Sequence, residues 1–318
     1  MPNQLSPKIR FKDDSKLSKV NPDSLKLWSK YKIDMTLREL SPKTIAAYEN
    51  DFQHYMLYIL DCFDNISVLD MDEDKITEFL YFCRTEGNNS RRIKRRMSTI
   101  SAFYKYLRKK RIIEENPMEF IDRPKKDIDV TAQTFLTEGQ VNLMRDKLKE
   151  HGDLDLHLYA MFSLSTMARV NAIASVRWEQ IDFDARVVNE VLEKEAKVVV
   201  LYFSEEVKEL LLKVREAREA QKVNDNGWVF YSRHNKGGGP VSNGTLHGWC
   251  KKVGQLIGVP SLHCHDFRHS GATLLKNRGM SLEDVSNLLN HGGVEVTRKF
   301  YIREDKRKIQ SEKDKYEI

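Results

Sequence analysis

Two runs rich in β-branched residues are the clearest strand signal in a chain whose other patterns are helical. They read "RVVNEVL" at 186–192 and "KVVVLYF" at 197–203, and the polar residues "EKEA" separate them. Runs of this kind joined by a short polar turn predict an antiparallel β-hairpin. One hairpin among helices limits the chain to a mainly α fold that holds a small antiparallel β-sheet.

The first third of the chain has the periodicity of amphipathic helices. In "SPKTIAAYENDFQHYMLYIL" (41–60), Ser41 is placed to cap a helix that begins at Pro42. Apolar residues then recur at steps of three and four, which predicts one buried face. Similar patterns predict helices over 72–87 and 89–111. We expect a flexible N-terminal arm over 1–20 and a helical domain over 21–121.

A second unit is expected after the segment 122–134, whose mixed charge and weak periodicity indicate a linker. Thr137 and Gln140 have the spacing of a capping box, which predicts the start of a helix. The apolar segment 154–178 predicts a helix that bends or breaks near 166–168. A short strand and a glycine-rich loop are predicted over 227–242, inside a second domain at 135–318 that is otherwise mainly helical.

Composition excludes several classes of protein. The chain has 318 residues, which is enough for two domains with their own cores. No stretch approaches the roughly eighteen apolar residues of a transmembrane helix, and the polar N-terminus does not resemble a secretory signal. The four cysteines form no CxxC pair, which indicates reduced thiols and a cytoplasmic protein. The net charge of +6 favours a polyanionic partner.

The segment "HCHDFRHSGA" (263–272) carries a dense set of reactive side chains. On a helix, His265, Arg268 and His269 would share one face, so the helix is expected to present an imidazole and a guanidinium together on its open side. A guanidinium beside an imidazole favours an oxyanion, above all a phosphate. The spacing of the two histidines also occurs in zinc sites, but Arg268 would repel a cation and the glutamate of HExxH is missing, so no metal site is predicted. Histidines without a functional role are the remaining interpretation.

Other segments contribute further candidates. Arg169 lies in an apolar segment, where its burial is costly unless the guanidinium meets an anion. His291 is expected at the end of a short helix, and Tyr301 follows it. Lys194 and Lys197 belong to the predicted hairpin turn. Taken singly, such a tyrosine is usually a core residue and such lysines are usually solvated.

The order of these residues resembles the active-site series of the tyrosine recombinases, the phage-integrase and Xer-like family. The HxxR pattern of His265 and Arg268 is followed by "LLNH", which ends at His291, and then by Tyr301. The segments "SPKTIAAYENDFQHYMLYI" and "STISAFYKYLRKKRIIEENPMEFIDRPKK" resemble the family's helical core-binding domain, and "LTEGQVNLM" resembles the start of its catalytic domain. The resemblance implies two domains, a helical core-binding domain and an α+β catalytic domain.

This resemblance implies site-specific cutting and rejoining of double-stranded DNA, as by a phage or mobile-element integrase. A tyrosine hydroxyl would attack the phosphodiester and form a 3′-phosphotyrosine, which conserves the bond energy, so no cofactor is implied. The arginines would bind the non-bridging oxygens, the histidines would assist proton transfer, and the lysine would protonate the leaving 5′ oxygen. The implied catalytic set is Arg169, Lys194, His265, Arg268, His291 and Tyr301, with Lys197 as the alternative lysine.

The chain departs from the family pattern at three places. Ala172 stands three residues after Arg169, where the family usually has an acid. Met167 and Ala168 replace the glycine and leucine that commonly precede this arginine, and Tyr301 lies one residue further along than is usual. Two interpretations therefore stay open: a working recombinase, and a catalytically inactive DNA-binding regulator with the same fold, such as a phage repressor.

Both interpretations require contact with DNA. The run "RRIKRR" on a predicted helix and the loop "SRHNKGGGP" are the candidate DNA contacts, and a solvated helix end is the alternative for the run. The residues are Arg91, Arg92, Lys94, Arg95, Arg96 and Lys236. The family also implies self-association on DNA, as a tetramer for a recombinase or a dimer for a regulator.

Overall fold

The computed structural model describes residues 14–125, 135–193, 197–233, 238–291 and 293–301, together with residues 310, 313 and 314. For residues 14 and 299–301 it describes the backbone alone. The chain divides into two compact units, Met1–Ala132 and Gln133–Ile318. Each unit buries its own hydrophobic core.

The first unit is a group of helices whose ends are set by local polar contacts. Asn21, Ser41, Asp72 and Asn89 each accept backbone N–H bonds at the start of a helix. The predicted cap at Ser41 is therefore confirmed. The helices are α1 (Asp14–Leu17), α2 (Pro22–Leu37), α3 (Pro42–Cys62), α4 (Glu73–Thr85) and α5 (Ser90–Lys109).

The core of this first unit is rich in aromatic rings. Trp28 of α2 stacks on Phe52 of α3 with ring centroids 4.1 Å apart, and Phe103 of α5 packs against Phe52 at 4.5 Å. The hydroxyls of Tyr55 and Tyr104 share a buried hydrogen bond of 3.0 Å. The apolar stripe predicted on α3 thus faces α2 and α5, and its burial holds the three helices together.

In the second unit, helices precede and follow the strands of the sheet along the chain. Its first helix carries the predicted capping box, in which the Thr137 hydroxyl accepts from the N–H of Gln140, and the Gln140 side chain accepts from the N–H of Thr137. The helices are α6 (Glu138–His151), α7 (Leu154–Thr166), α8 (Val170–Ala174), α9 (Glu205–Ala220), α10 (Asn243–Leu256), α11 (Cys264–Asn277), α12 (Leu282–Leu288) and α13 (Val294–Tyr301).

The predicted break near 166–168 is present. Helix α7 ends at Thr166, and the next residue, Met167, has a left-handed backbone (φ 54°) and donates its N–H to the carbonyl of Ser163. Helix α8 begins directly after Arg169. A left-handed backbone favours glycine, so the methionine at this position carries a conformational cost of about 1 kcal/mol. The same turn places Arg169 at the edge of the core, where it is half-buried.

The predicted hairpin is confirmed and forms most of the sheet. Strands β1 (Ile181–Asp182), β2 (Val187–Leu192) and β3 (Val198–Tyr202) are antiparallel in the order β1-β2-β3. Val188 is paired with Leu201, and Leu192 with Val198, with an irregularity of register between them. The fold class predicted from the sequence, mainly α with a small antiparallel sheet, is therefore confirmed.

The strand predicted within 227–242 is wrong for the residues that the structure describes there. That segment makes isolated bridges, Arg177 with Trp228 and Tyr231 with Pro240. It pairs first with residues 176–178 and then with residues 239–241, so its partner changes before a ladder can form. Proline also lacks an N–H to extend the second pairing.

Among the helices of the described residues, none is long and apolar enough to cross a membrane.

Candidate active site

Helix α11 carries the HxxR pattern and begins where a local acid caps it. The Asp266 carboxylate accepts the backbone N–H of His263 at 2.8 Å, which holds the chain at the first turn. Further along the helix, Gly271 lies against the end of α7. A β-carbon there would lie 2.5 Å from the carbonyl oxygen of Leu164 and 2.7 Å from Cγ of Met167. Glycine therefore permits the close helix contact that places Arg268, almost one turn earlier, against α7.

Arg268 is buried at the centre of the second unit's candidate site. Its side chain donates to the carbonyl oxygens of Met167 at 2.7 Å and Leu289 at 2.6 Å, and to Nε2 of His291 at 3.1 Å. The residue is 1% exposed, because α12 and α13 pack against α11. The open helix face predicted for His265 and Arg268 is covered at the guanidinium. Only His265 reaches the surface, so that detail of the prediction is wrong.

His291 is held in one tautomer by its two neighbours. A guanidinium can only donate, so Nε2 accepts from Arg268, and Nδ1 carries the proton that it donates to the Thr297 hydroxyl at 2.8 Å. Burial, followed by the charges of Arg268 and Arg169, lowers the pKa of His291 to about 4. The imidazole is therefore neutral at neutral pH. Thr297 was missed by the sequence analysis, because a single threonine carries no signal of its own.

His265 and His269 lie one turn apart on α11, with ring centroids 4.7 Å apart in an edge-to-face arrangement. Partial desolvation and the charges of Arg268 and Arg169 lower the pKa of His265. Burial, followed by the charges of His265 and Arg268, lowers the pKa of His269 to about 4. His269 is buried and packs against the ring of Phe135, which favours a structural role.

Arg169 comes from the turn between α7 and α8. Its Nη1 forms an ion pair with the Glu193 carboxylate, and the charge of Arg169 reaches both His265 and His291. An arginine in this apolar segment is predicted to need an anion, and Glu193, which was not among the predicted residues, supplies one. The four predicted residues Arg169, His265, Arg268 and His291 thus lie within one electrostatic cluster. Their roles in catalysis stay predictions.

The two remaining catalytic candidates lie partly outside the described residues. Lys194 is in the undescribed segment 194–196. Tyr301 is the last residue of α13, whose backbone is described there without the side chain. The alternative lysine, Lys197, donates from Nζ to the carbonyl of Asn290 at 3.3 Å, directly before His291 in the chain. Its charge also contributes to lowering the pKa of His291.

The basic run on α5 forms an ion cluster within the first unit. The buried Asp51 carboxylate of α3 lies 2.8 Å from Nε of Arg95, 3.3 Å from Nη2 of Arg92 and 3.9 Å from Nη1 of Arg96. Arg96 is 3% exposed and donates to Asn88, which argues against a direct contact of Arg96 with DNA. Arg92 and Arg95 remain partly exposed, and Lys236 lies outside the described residues.

Metal binding gains no support from the part of the chain that the structure describes. There, no three side chains of His, Cys, Asp or Glu are grouped so that they could hold a metal ion.

Comparison with protein families decides the assignment. The model described as "Phage integrase family" matches residues 134–308, which is more than half of the chain. A second model, "Phage integrase, N-terminal SAM-like domain", matches residues 30–111. The chain belongs to the phage integrase family. The assignment to the tyrosine recombinases that the sequence predicted is confirmed.

Curated relatives of this family member align over most of their length. The chain is 28% identical to "Tyrosine recombinase XerC" of Pediococcus pentosaceus over 304 residues, which is 92% of this chain and 98% of the relative. It is 27% identical to "Tyrosine recombinase XerD" of Oceanobacillus iheyensis, over 82% of this chain and 87% of the relative.

Solved structures of other recombinases have the same fold. A XerH site-specific recombinase bound to a palindromic difH substrate has a TM-score of 0.71 at 17% identity, over 96% of this chain and 93% of that one. A λ integrase dimer bound to a COC′ core site has a TM-score of 0.68 at 18% identity, over 93% of this chain and 84% of that one.

Proposed function

We propose that this chain is a site-specific recombinase that cuts and rejoins double-stranded DNA through a covalent bond to Tyr301. The observation that carries the proposal is the cluster of Arg169, His265, Arg268 and His291, in which two guanidinium groups lie beside two neutral imidazoles. Such a cluster suits a phosphodiester, whose negative charge grows in the transition state.

In the proposed reaction, the Tyr301 oxygen attacks the phosphorus as its proton leaves, and the bond from phosphorus to the 5′ oxygen breaks. The products are a 3′-phosphotyrosine and a free 5′ hydroxyl, so the number of phosphate ester bonds is conserved. The reverse step, with a hydroxyl from another strand, completes the exchange. Arg169 and Arg268 stabilise the charge on the non-bridging oxygens. The loss of one strong donor of this kind costs about 100- to 1,000-fold in rate.

The histidines are neutral in the free chain and become more basic beside a phosphate. In the free chain, burial and then the charges of Arg268 and Arg169 hold the pKa of His291 near 4. A phosphate placed among these groups would oppose their positive charge and raise that pKa, which favours protonation of the imidazole. Once protonated, Nε2 of His291 can no longer accept from Arg268 and donates to the phosphate instead. His265 can donate to the phosphate as well, and both rings can take part in moving the proton. The hydroxyl of Thr297 keeps the ring of His291 in position.

The proton for the leaving 5′ oxygen comes from the hairpin. Lys194, at the turn, is the proposed acid, and Lys197 is the alternative. The contact of Lys197 with the carbonyl of Asn290 supports this alternative, because it brings an ammonium group to the His291 segment. A DNA substrate with sulfur in place of the leaving 5′ oxygen separates the two, since a thiolate leaves without protonation. If Lys194 is the acid, Lys194→Ala should regain cleavage on that substrate and Lys197→Ala should not. If Lys197 is the acid, the two variants should show the opposite pattern.

The remaining parts of the chain are assigned by the same proposal. Residues 21–121 form the core-binding domain and residues 135–318 the catalytic domain, with an arm at 1–20 and a linker at 122–134. Partly exposed side chains of the α5 run contact phosphates, with Arg91 and Lys94 beside Arg92 and Arg95. Lys236 contributes from its loop. The active form is a tetramer on DNA, and it acts in the cytoplasm, in association with the nucleoid.

The deciding experiment is the capture of a covalent adduct. Bound sites are selected from fragmented genomic DNA, and the best site is synthesised with a nick beside the scissile phosphate, so that cleavage releases a short fragment and cannot reverse. The expected result is an SDS-stable adduct with the full-length chain, absent for Tyr301→Phe, which keeps the ring and removes the hydroxyl. Tight, specific binding without an adduct would contradict the proposal and support the non-catalytic regulator.

A further inference from the structure

Glu193 is a buried acid beside the active site that no family motif in this chain assigns. Its side chain is 2% exposed and forms an ion pair with Nη1 of Arg169. A buried carboxylate is retained only when a positive partner compensates for its lost hydration. We propose that Glu193 is a positioning residue, which orients Arg169 for the scissile phosphate. The inference rests on the function proposed above.

The position three residues after Arg169 cannot supply this contact. Ala172 occupies it, on the short helix α8, and is fully buried among apolar residues. An arginine at a helix start, with three carbons between its backbone and its guanidinium, has many rotamers available without a partner. Glu193 reaches the guanidinium from the sheet instead of from α8.

The hairpin holds Glu193 rigidly enough for this task. Its backbone N–H donates to the carbonyl of Lys197 at 2.8 Å, directly after the paired residues Leu192 and Val198. A carboxylate on such a ladder is more precisely placed than one on a loop. Glu193 also directly precedes Lys194 in the chain.

The contact leaves part of Arg169 available for a substrate. A guanidinium carries five N–H donors, and the carboxylate engages it through Nη1. The Arg169 side chain remains 34% exposed, whereas Glu193 is covered. Glu193 can therefore hold one edge of the guanidinium while another edge faces a phosphate oxygen.

The test compares Glu193→Gln with Glu190→Gln in the full chain. Glu190 is an exposed acid on the same strand, so its variant controls for the loss of one negative charge. We expect Glu193→Gln to form the covalent adduct about 10- to 100-fold more slowly at saturating DNA, with DNA affinity changed less than threefold. Glu190→Gln should react at the wild-type rate. Glu193→Asp, which keeps the charge on a shorter side chain, should react at an intermediate rate.

A double variant that also carries Arg169→Lys distinguishes a positioning role of Glu193 from a general structural role. If Glu193 acts through Arg169, adding Glu193→Gln to Arg169→Lys should slow the reaction by less than about threefold beyond the single variant. Independent slowing in the double variant, or a wild-type rate for Glu193→Gln, would overturn the inference. Faster cleavage by Glu193→Gln would also overturn it, since the acid would then compete with the phosphate. A wild-type chain that forms no adduct would instead refute the proposed function.

Discussion

The buried guanidinium of Arg268 should stabilise the second unit whether or not the chain is catalytic. Its Nη1 and Nη2 donate to two main-chain carbonyls, at 2.7 Å to Met167 and 2.6 Å to Leu289. These bonds join the end of α7 to the end of α12. The variant Arg268→Lys keeps the charge, but a single ammonium cannot reproduce the fork of two donors. A charge-assisted hydrogen bond contributes about 1.5–3 kcal/mol, so we expect a loss of about 3 kcal/mol in the free energy of unfolding.

The expected change is large enough to measure by calorimetry on the full chain. For a domain of this size, about 3 kcal/mol corresponds to a decrease in Tm of roughly 6–12 °C. Tryptophan fluorescence shows which unit unfolds in the measured transition. The second unit contains Trp178, Trp228 and Trp249, and the first contains Trp28.

Arg278→Lys is the matched control. Arg278 caps the end of the same helix, and its side chain is 65% exposed beside Glu138 at 2.9 Å. An exposed ion pair contributes about 0–1 kcal/mol, so this variant should unfold within about 4 °C of the wild type. Equal Tm values for the two variants would refute the argument that the buried fork anchors α12.

Three further predictions concern stability. Gly271→Ala should lower the free energy of unfolding by about 1–3 kcal/mol, because the new β-carbon would lie 2.5 Å from the carbonyl oxygen of Leu164. Gly248→Ala on α10 has open space around its β-carbon and should raise the free energy of unfolding by about 0.5–1 kcal/mol. Urea titrations that give changes of the same sign for both variants would contradict this prediction. Asp51→Asn should destabilise the first unit by about 3 kcal/mol, since three arginines lose their buried counter-charge, and an unchanged melting curve would contradict it. The folded pKa values of His269 and His291 are about 4 against an ordinary 6.5, so the unfolded chain binds more protons between these values. Tm should therefore fall as pH is lowered from about 6.5 to about 4, less steeply in His291→Asn, and a flat Tm over this window would contradict the assignment.

Local features of the fold could be predicted because they depend on residues close together in the chain. The hairpin at 187–202, the cap at Ser41 and the capping box of Thr137 with Gln140 all have this character. The order of the candidate residues was also enough to identify the family, since the HxxR pattern and the later His291 and Tyr301 can be read directly from the sequence.

The tertiary structure decided which of these side chains meet and which are buried. A helical period places Arg92, Arg95 and Arg96 on one face, but it does not say that this face packs against Asp51, 44 residues from Arg95. The contact of Arg268 with His291 spans 23 residues, and that of Arg169 with Glu193 spans 24. Such contacts arise when separate elements pack around a shared core, so their electrostatics depend on distance and burial in three dimensions. The sequence by itself therefore determined the family and the list of candidates, whereas only packing determined the neutral state of His291, the burial of Arg268 and the partner of Arg169.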